Sequence, residues 1–320
     1  MTIAGQIGLV PRDLSLPENE EVQYALSLQH AGRIFDAVLK ERSRGGKGWI
    51  EGGVCWVASE DKVRRARACW DAQCHSDEND DGEEDEISNW LFGKAGISHA
   101  SSTSMSANPQ SRNPLPMLYA QVAQDALPRG SIVEWQLTGH DGRRRSNSSQ
   151  PDDDDEDEDE STEAARPEVK NGECVCSSSR PDALPRAHSS DCRCTTSPSD
   201  QWNVSLDGTN LIAHHQSISC PSGQSSHGIL ALALDVGSGD ASPLPDAIVN
   251  RISHALSVKV FVDVSSEAPS DAAQAARSML EHLLGSSCAH SIVPTLGLWT
   301  GEAQDEMRRW PMAIVWHDTE

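Results

Sequence analysis

Two C-x-C pairs, Cys174-Val-Cys176 and Cys192-Arg-Cys194, flank His188. Thiolates and an imidazole are zinc donors, but structural zinc sites usually use C-x-x-C spacing, and a knuckle needs apolar support. The surrounding sequence is rich in Ser and Pro and nearly free of apolar residues, so unliganded cysteines are expected and no metal. A second feature, Arg44-Gly45-Gly46-Lys47-Gly48, resembles a phosphate loop only on the surface. A phosphate cradle lies between a strand and the start of a helix, whereas this run follows a helical pattern and reads as a helix stop. His214 and His215 are adjacent in a strand candidate and should face opposite sides, which makes a poor metal pair. H-E-x-x-H and G-x-S-x-G are both absent.

Charge narrows the possible partners. The formal net charge is -23, and it is concentrated in two tracts. Asp77 to Glu86 and Pro151 to Glu160 are almost continuously acidic, and Ser146, Ser148, Ser149 and Ser161 flank the second. Such runs read as solvated spacers or interaction tails. Nucleic acid binding requires clustered Lys and Arg, and the short Arg143-Arg144-Arg145 run sits beside a larger acidic one, so no nucleic acid partner is expected. No apolar stretch is long enough to span a membrane as a helix, and no membrane partner is expected. The first residues lack the basic and apolar regions of a secretory leader. Nine irregularly spaced cysteines, with Cys55 in an apolar run, suggest reduced thiols and a cytoplasmic location.

The elements that would position these residues follow from periodicity. Thr2 to Val10 is strand-like. Val22 to Lys40 carries apolar residues at Val22, Ala25, Leu26, Ala31, Ile34, Phe35, Val38 and Leu39, which gives a helical stripe. Gly53 to Ala58 reads as a strand and Glu60 to Ala72 as a helix. Leu118 to Ala123 is strand-like, Leu127-Pro128-Arg129-Gly130 is a turn, and Ser131 to Thr138 alternates. There Val133, Trp135 and Leu137 share one face, with Ile132, Glu134 and Gln136 on the other. Later elements are a short strand at Leu211 to Ala213, an apolar run at Gly228 to Asp235, and a helix from Ile248 to Leu256. A strand from Val258 to Val264, a helix from Ala272 to Leu284, and strands at Ile292 to Leu298 and Met312 to Trp316 follow. Trp56, Trp135, Trp299 and Trp316 fall in or beside strands, where aromatic rings usually pack. Two segments, 73–111 and 141–200, are charged and polar without apolar period and are expected to be disordered.

Ala4-Gly5-Gln6-Ile7-Gly8 before a long helix, and Leu127-Pro128-Arg129-Gly130-Ser-Ile-Val-Glu134 near the end of the first unit, resemble the RidA/YjgF pattern. The wording is most similar to fungal-type diphthine–ammonia ligases, which carry two RidA-like domains after an N-terminal ATP-binding domain. Thr2 to Gly8, Gly53 to Val57, Tyr119 to Val122 and Leu127 to Gln136 resemble the first of those domains. Ile292-Val-Pro294 and Leu298-Trp299 resemble the end of the second. The resemblance implies an α+β fold of two RidA-like (chorismate-mutase-like) domains, each a mostly antiparallel sheet packed by helices, with long disordered acidic segments. It places them at 1–140, with the insertion at about 73–111, and at 201–320, with 141–200 as an acidic, Ser/Pro-rich linker.

In function, the resemblance implies the accessory C-terminal part of a diphthine–ammonia ligase, which amidates diphthine on elongation factor 2 using ATP. Its ATP-binding domain is not recognisable in the chain, so no cofactor is expected here and ATP would belong to the full-length enzyme. Elongation factor 2 is the implied partner, together with a homo-oligomer or an internal pairing of the two domains. Active RidA proteins hydrolyse enamines and imines and bind the substrate carboxylate through an arginine in a P-A-R-S strand. Here Pro116-Met-Leu-Tyr119 places Leu118 at that position, and leucine offers no donors for a carboxylate. Gly5, Leu118 and Glu134 are therefore the residues of a vestigial pocket. An enamine/imine deaminase and a non-catalytic binding or scaffold module are the alternatives.

Overall fold

The computed structural model describes residues 2–42, 49–75, 115–140, 195–206, 209–219, 226–234, 241–266, 269–284, 290–301 and 307–318. The Cys174–Cys194 cysteine pairs, His188, the Arg44–Gly48 run and both acidic tracts lie outside them.

The first half contains α1 (Glu20–Arg42), β1 (Trp49–Val57), α2 (Val63–His75), β2 (Met117–Gln121) and β3 (Val133–His140). The second contains β4 (Thr195–Leu206), β5 (Thr209–Ser219), β6 (Ser226–Leu234), α3 (Asp246–His254), β7 (Ser257–Asp263) and α4 (Pro269–Leu284), then β8 (Ser291–Thr295), β9 (Gly297–Gly301), β10 (Met307–Arg309) and β11 (Met312–Asp318). Asn19 opens α1 by accepting the Glu21 N–H at 2.9 Å, and Glu20 and Glu21 add negative charge at the positive end of the helix. A turn of 3-10 helix at Glu60–Lys62 leads into α2. The Leu127–Gly130 turn carries Arg129 and Gly130 at positive φ, and the Arg129 guanidinium donates to the Leu14 carbonyl at 2.7 Å.

Two mixed sheets result. One has five strands in the order β10-β9-β2-β1-β3, the other six in the order β4-β5-β6-β11-β7-β8. Each has a single parallel pair, β1 with β2 and β7 with β8, and antiparallel neighbours elsewhere. Each parallel pair is joined through a helix, as parallel strands require. Within the sheets one topology occurs twice. An extended segment precedes a helix, a strand, a second helix and a parallel strand. A final strand then pairs antiparallel with both the opening segment and the first strand. In the first copy these are residues 2–6, α1, β1, α2, β2 and β3, with the opening segment held by bonds such as Gln6 N–H to the Trp135 carbonyl. In the second they are β6, α3, β7, α4, β8 and β11.

The copies pack sheet against sheet. Alternation along each strand sends one set of side chains toward the helices and the other toward the opposing sheet. Tyr24, Leu28 and Phe35 of α1 and Ala66 and Trp70 of α2 cover Cys55, Tyr119, Val133, Trp135 and Leu137. Ile248, Ile252, Ala276 and Leu280 likewise cover Val258, Val260, Ile314 and Trp316. Between the sheets, Val54, Leu118, Ala120 and Leu298 meet Ile229, Ala231, Phe261, Ala313 and Val315. The order of layers is helices, sheet, sheet, helices.

Several expectations are revised. Helix α2 extends through His75, into the segment expected to be disordered from residue 73. Strand β4 starts at Thr195, inside the expected 141–200 linker, because β5 supplies a partner with Thr195 opposite Ser219. The two strands form a hairpin, and the polar run from Thr195 to Asp200 at its far end has no apolar period to read. Ile132, just ahead of β3, packs with the helix-side residues rather than with the face of Glu134. The run expected as one strand from Ile292 to Leu298 divides at Leu296. Its first part joins β7, while its second, with β10, crosses to the edge of the first sheet. A cut of the chain at residue 201 therefore separates the two copies of the topology but not the two sheets.

Candidate functional site

Glu134 lies opposite Trp56 in the β1–β3 ladder and projects toward the face that meets the second sheet. It is half-buried, and burial pushes its carboxyl pKa up. Gly5 passes directly over it, and a Cβ at Gly5 would overlap the Glu134 carboxyl group. Leu118 sits on the same face but in the neighbouring row, opposite Val54, with β1 between it and β3. It is fully buried in the seam between sheets. The structure thus brings Gly5 and Glu134 into contact and sets Leu118 apart in an apolar layer. A carboxylate at Leu118 would be desolvated without a charged donor, a loss of about several kcal/mol.

A second, polar cluster lies in the same seam and was not singled out by sequence. β1 bulges between Ile50 and Gly52, and the residue at the bulge is Glu51. A bulge re-aims a side chain, and Glu51 is buried with Oε2 3.4 Å from His317 Nδ1 of β11. Gly52 carries φ +146°, and a Cβ there would strike the Pro116 carbonyl and the His227 ring, so only glycine fits. His227, on β6 opposite His317, is 1% exposed with ring centroids 6.3 Å apart, and burial lowers its pKa to about 4. Lys259 of β7 reaches across the seam to Gln136 Oε1 of β3 at 3.4 Å, and burial lowers its ammonium pKa. Thr2, Gln136 and Thr138 of the first sheet and His227, Lys259 and His317 of the second border a cavity of about 30 Å³. The Gly52-Gly53 doublet beside Glu51 is the one sequence signal that could have marked this place.

The remaining candidates are packing residues. Cys55 and Cys69 are buried, free thiols on the helix side, and burial raises both pKa values, that of Cys69 to about 12. A thiol so protonated is no nucleophile. His214 and His215 do face opposite sides: His214 stacks on Trp310 and His215 on Trp316, with centroids 5.5 and 5.7 Å apart. Trp135, Trp299 and Trp316 are buried, and Trp56 packs along the seam. Among the described residues no group of His, Cys, Asp or Glu has the arrangement to hold a metal, and no helix is long and apolar enough to cross a membrane.

Fold and site together define an α+β protein of two mixed, helix-backed sheets closed on a shared seam. Comparison with protein-family models, with curated proteins and with solved structures returns no match to this chain.

Proposed function

We propose that this chain is a tandem pair of RidA-like units serving as the accessory, C-terminal part of a diphthine–ammonia ligase. In this reading a separate ATP-binding domain of the full-length enzyme performs the amidation, with ATP as its co-substrate and diphthine on elongation factor 2 as the acceptor. The observation that supports it is the repeated topology, in which residues 2–140 and 226–318 each run segment, helix, strand, helix, parallel strand and returning strand. It agrees with the tandem arrangement implied by Ala4 to Gly8 and Leu127 to Glu134.

The burial of Leu118 supports an accessory rather than a deaminating role. An imine hydrolase of the RidA type needs a cation where this leucine lies. Glu134 without that cation has the means to move a proton but not to hold a carboxylate substrate beside it. Internal pairing of the two units takes the place of assembly between chains, since each unit covers the inner sheet face of the other.

The test combines the purified chain with a separately produced ATP-binding ligase domain, ATP, ammonium and elongation factor 2 bearing diphthine. The chain alone is expected to give no amidation, to co-purify with the ligase domain, and to raise that domain's amidation rate. Failure to associate with the domain or to change its rate would refute the reading, as would robust 2-aminoacrylate hydrolysis by the chain alone.

A further inference from the structure

We propose that the cavity between the two sheets is a binding site for a small monovalent oxyanion, the size of a one- or two-carbon carboxylate, held by Lys259 with His227 and Thr138. The inference is independent of the ligase reading.

The cavity has charge, donors and room. Its volume of about 30 Å³ compares with the ~10–15 Å³ that one water occupies, so two or three water-sized groups fit, the scale of a formate or acetate ion. Its lining carries the Lys259 ammonium and no carboxylate. Lys259 is half-buried, its polar contact is the neutral Gln136 amide at 3.4 Å, and no carboxylate among the described residues lies within ion-pair distance of it. The nearest buried acid, Glu51, stands outside the lining and faces His317.

An independent sign comes from His227. Both ring nitrogens are buried without a hydrogen-bond partner, and the ring borders the cavity. The Trp316 backbone lies near enough to influence its protonation but not at bonding geometry. An unpaired buried polar group of this kind is costly, and a neutral imidazole has one N–H to give to a ligand oxygen. The Thr2 and Thr138 hydroxyls, 3.5 Å apart, add donors on the opposite wall. A bound oxyanion would satisfy the imidazole and neutralise the lysine, where water would do only the first.

The test titrates acetate into the whole chain at constant ionic strength, with chloride as the exchanged anion, and follows thermal unfolding and the line width of carbon-13-labelled acetate. Saturable stabilisation and broadening are expected from acetate, with neither from the neutral isostere acetamide. Lys259→Met keeps the aliphatic stem and is expected to weaken acetate binding by about ten-fold or more, the scale of a charge-assisted hydrogen bond. Thr138→Val gives a second, uncharged probe, expected to weaken binding less, and it serves if the lysine variant fails to fold. An absent or non-saturable acetate response, an equal response to acetamide, or unchanged binding in a folded Lys259→Met or Thr138→Val protein would overturn the proposal.

Discussion

Glu51 and His317 meet across the seam, with carboxylate oxygen and ring nitrogen 3.4 Å apart, although one comes from the bulge of β1 and the other from the last strand. The contact ties the two copies of the topology through polar groups that are nearly inaccessible to water. Glu51→Gln is expected to destabilise the protein by about 1–3 kcal/mol, the scale of a buried polar partner lost. Urea unfolding of the single and double variants with His317→Asn checks this, and additive losses would mean that the two residues do not interact.

Stability is expected to fall in mild acid. Burial holds His214, His215 and His227 at pKa values of about 4, against 6.5 for an unperturbed ring. Between those values the unfolded chain binds more protons, so the stability they contribute is complete above about pH 6.5 and is lost as the pH falls toward 4. Each ring contributes on the order of 3 kcal/mol at most over that window. Glu134, with its raised pKa, acts in the opposite sense and favours the fold at the low end. The urea midpoint should drop steadily from pH 7 to pH 5, with a shallower slope in His215→Phe. A flat profile in the parent protein would contradict the assignment.

Leu118 offers a test of the seam. Leu118→Ala should cost about 2–5 kcal/mol through lost contacts and a residual void. Leu118→Arg should cost more, because it places an unpaired charge among Val54, Ile229 and Phe261. Neither variant is expected to hydrolyse 2-aminoacrylate. A well-folded Leu118→Arg protein that turned over the imine would show that the seam opens.

Gly5 and Glu134 should behave as a coupled pair. An alanine at position 5 must displace the Glu134 side chain, so Gly5→Ala alone is expected to cost roughly 1–3 kcal/mol. In a Glu134→Ala background much of that cost should vanish, giving a coupling within the roughly 0.5–3 kcal/mol seen for residues in contact. Equal cost in both backgrounds would place the strain elsewhere.

Trp299 anchors the crossing hairpin. It is 4% exposed in the first sheet's helix-side core, with the Arg309 guanidinium 5.3 Å above its ring. Trp299→Ala is expected to cost about 3–5 kcal/mol and to speed amide exchange in β2 and β1 before β7. Protection lost first in β7 would assign the hairpin to the other sheet.

Local signals made most of the helices and many strands legible. The stripe of Ala25, Leu26, Ala31 and Phe35 located α1, though Ile34 proves exposed and Tyr24 and Leu28 join the buried face. The alternation of Val133, Trp135 and Leu137 oriented β3, and with it Glu134. Pairing partners carry information that no window contains. Ile292 to Leu298 reads as one strand because every residue suits one, but Leu296 N–H bonds to the Gln121 carbonyl and turns the chain toward another sheet. The polar cluster escaped for a related reason. Glu51, His227, Lys259 and His317 are far apart in sequence, and each is unremarkable until the sheets close and dehydrate it.

The hairpin of β9 and β10 also bears on how this protein is made. A ribosome delivers the first copy complete through β3 long before it releases residues 297–309, so the sheet begun at β1 must wait with its β2 edge unpaired. An exposed strand edge is a template for pairing with other chains, and domains normally fold in the order of their synthesis. Here strands made late, β9 and β10, finish the sheet begun first, and a nascent chain stalled before residue 297 would carry an open edge that invites aggregation or a chaperone.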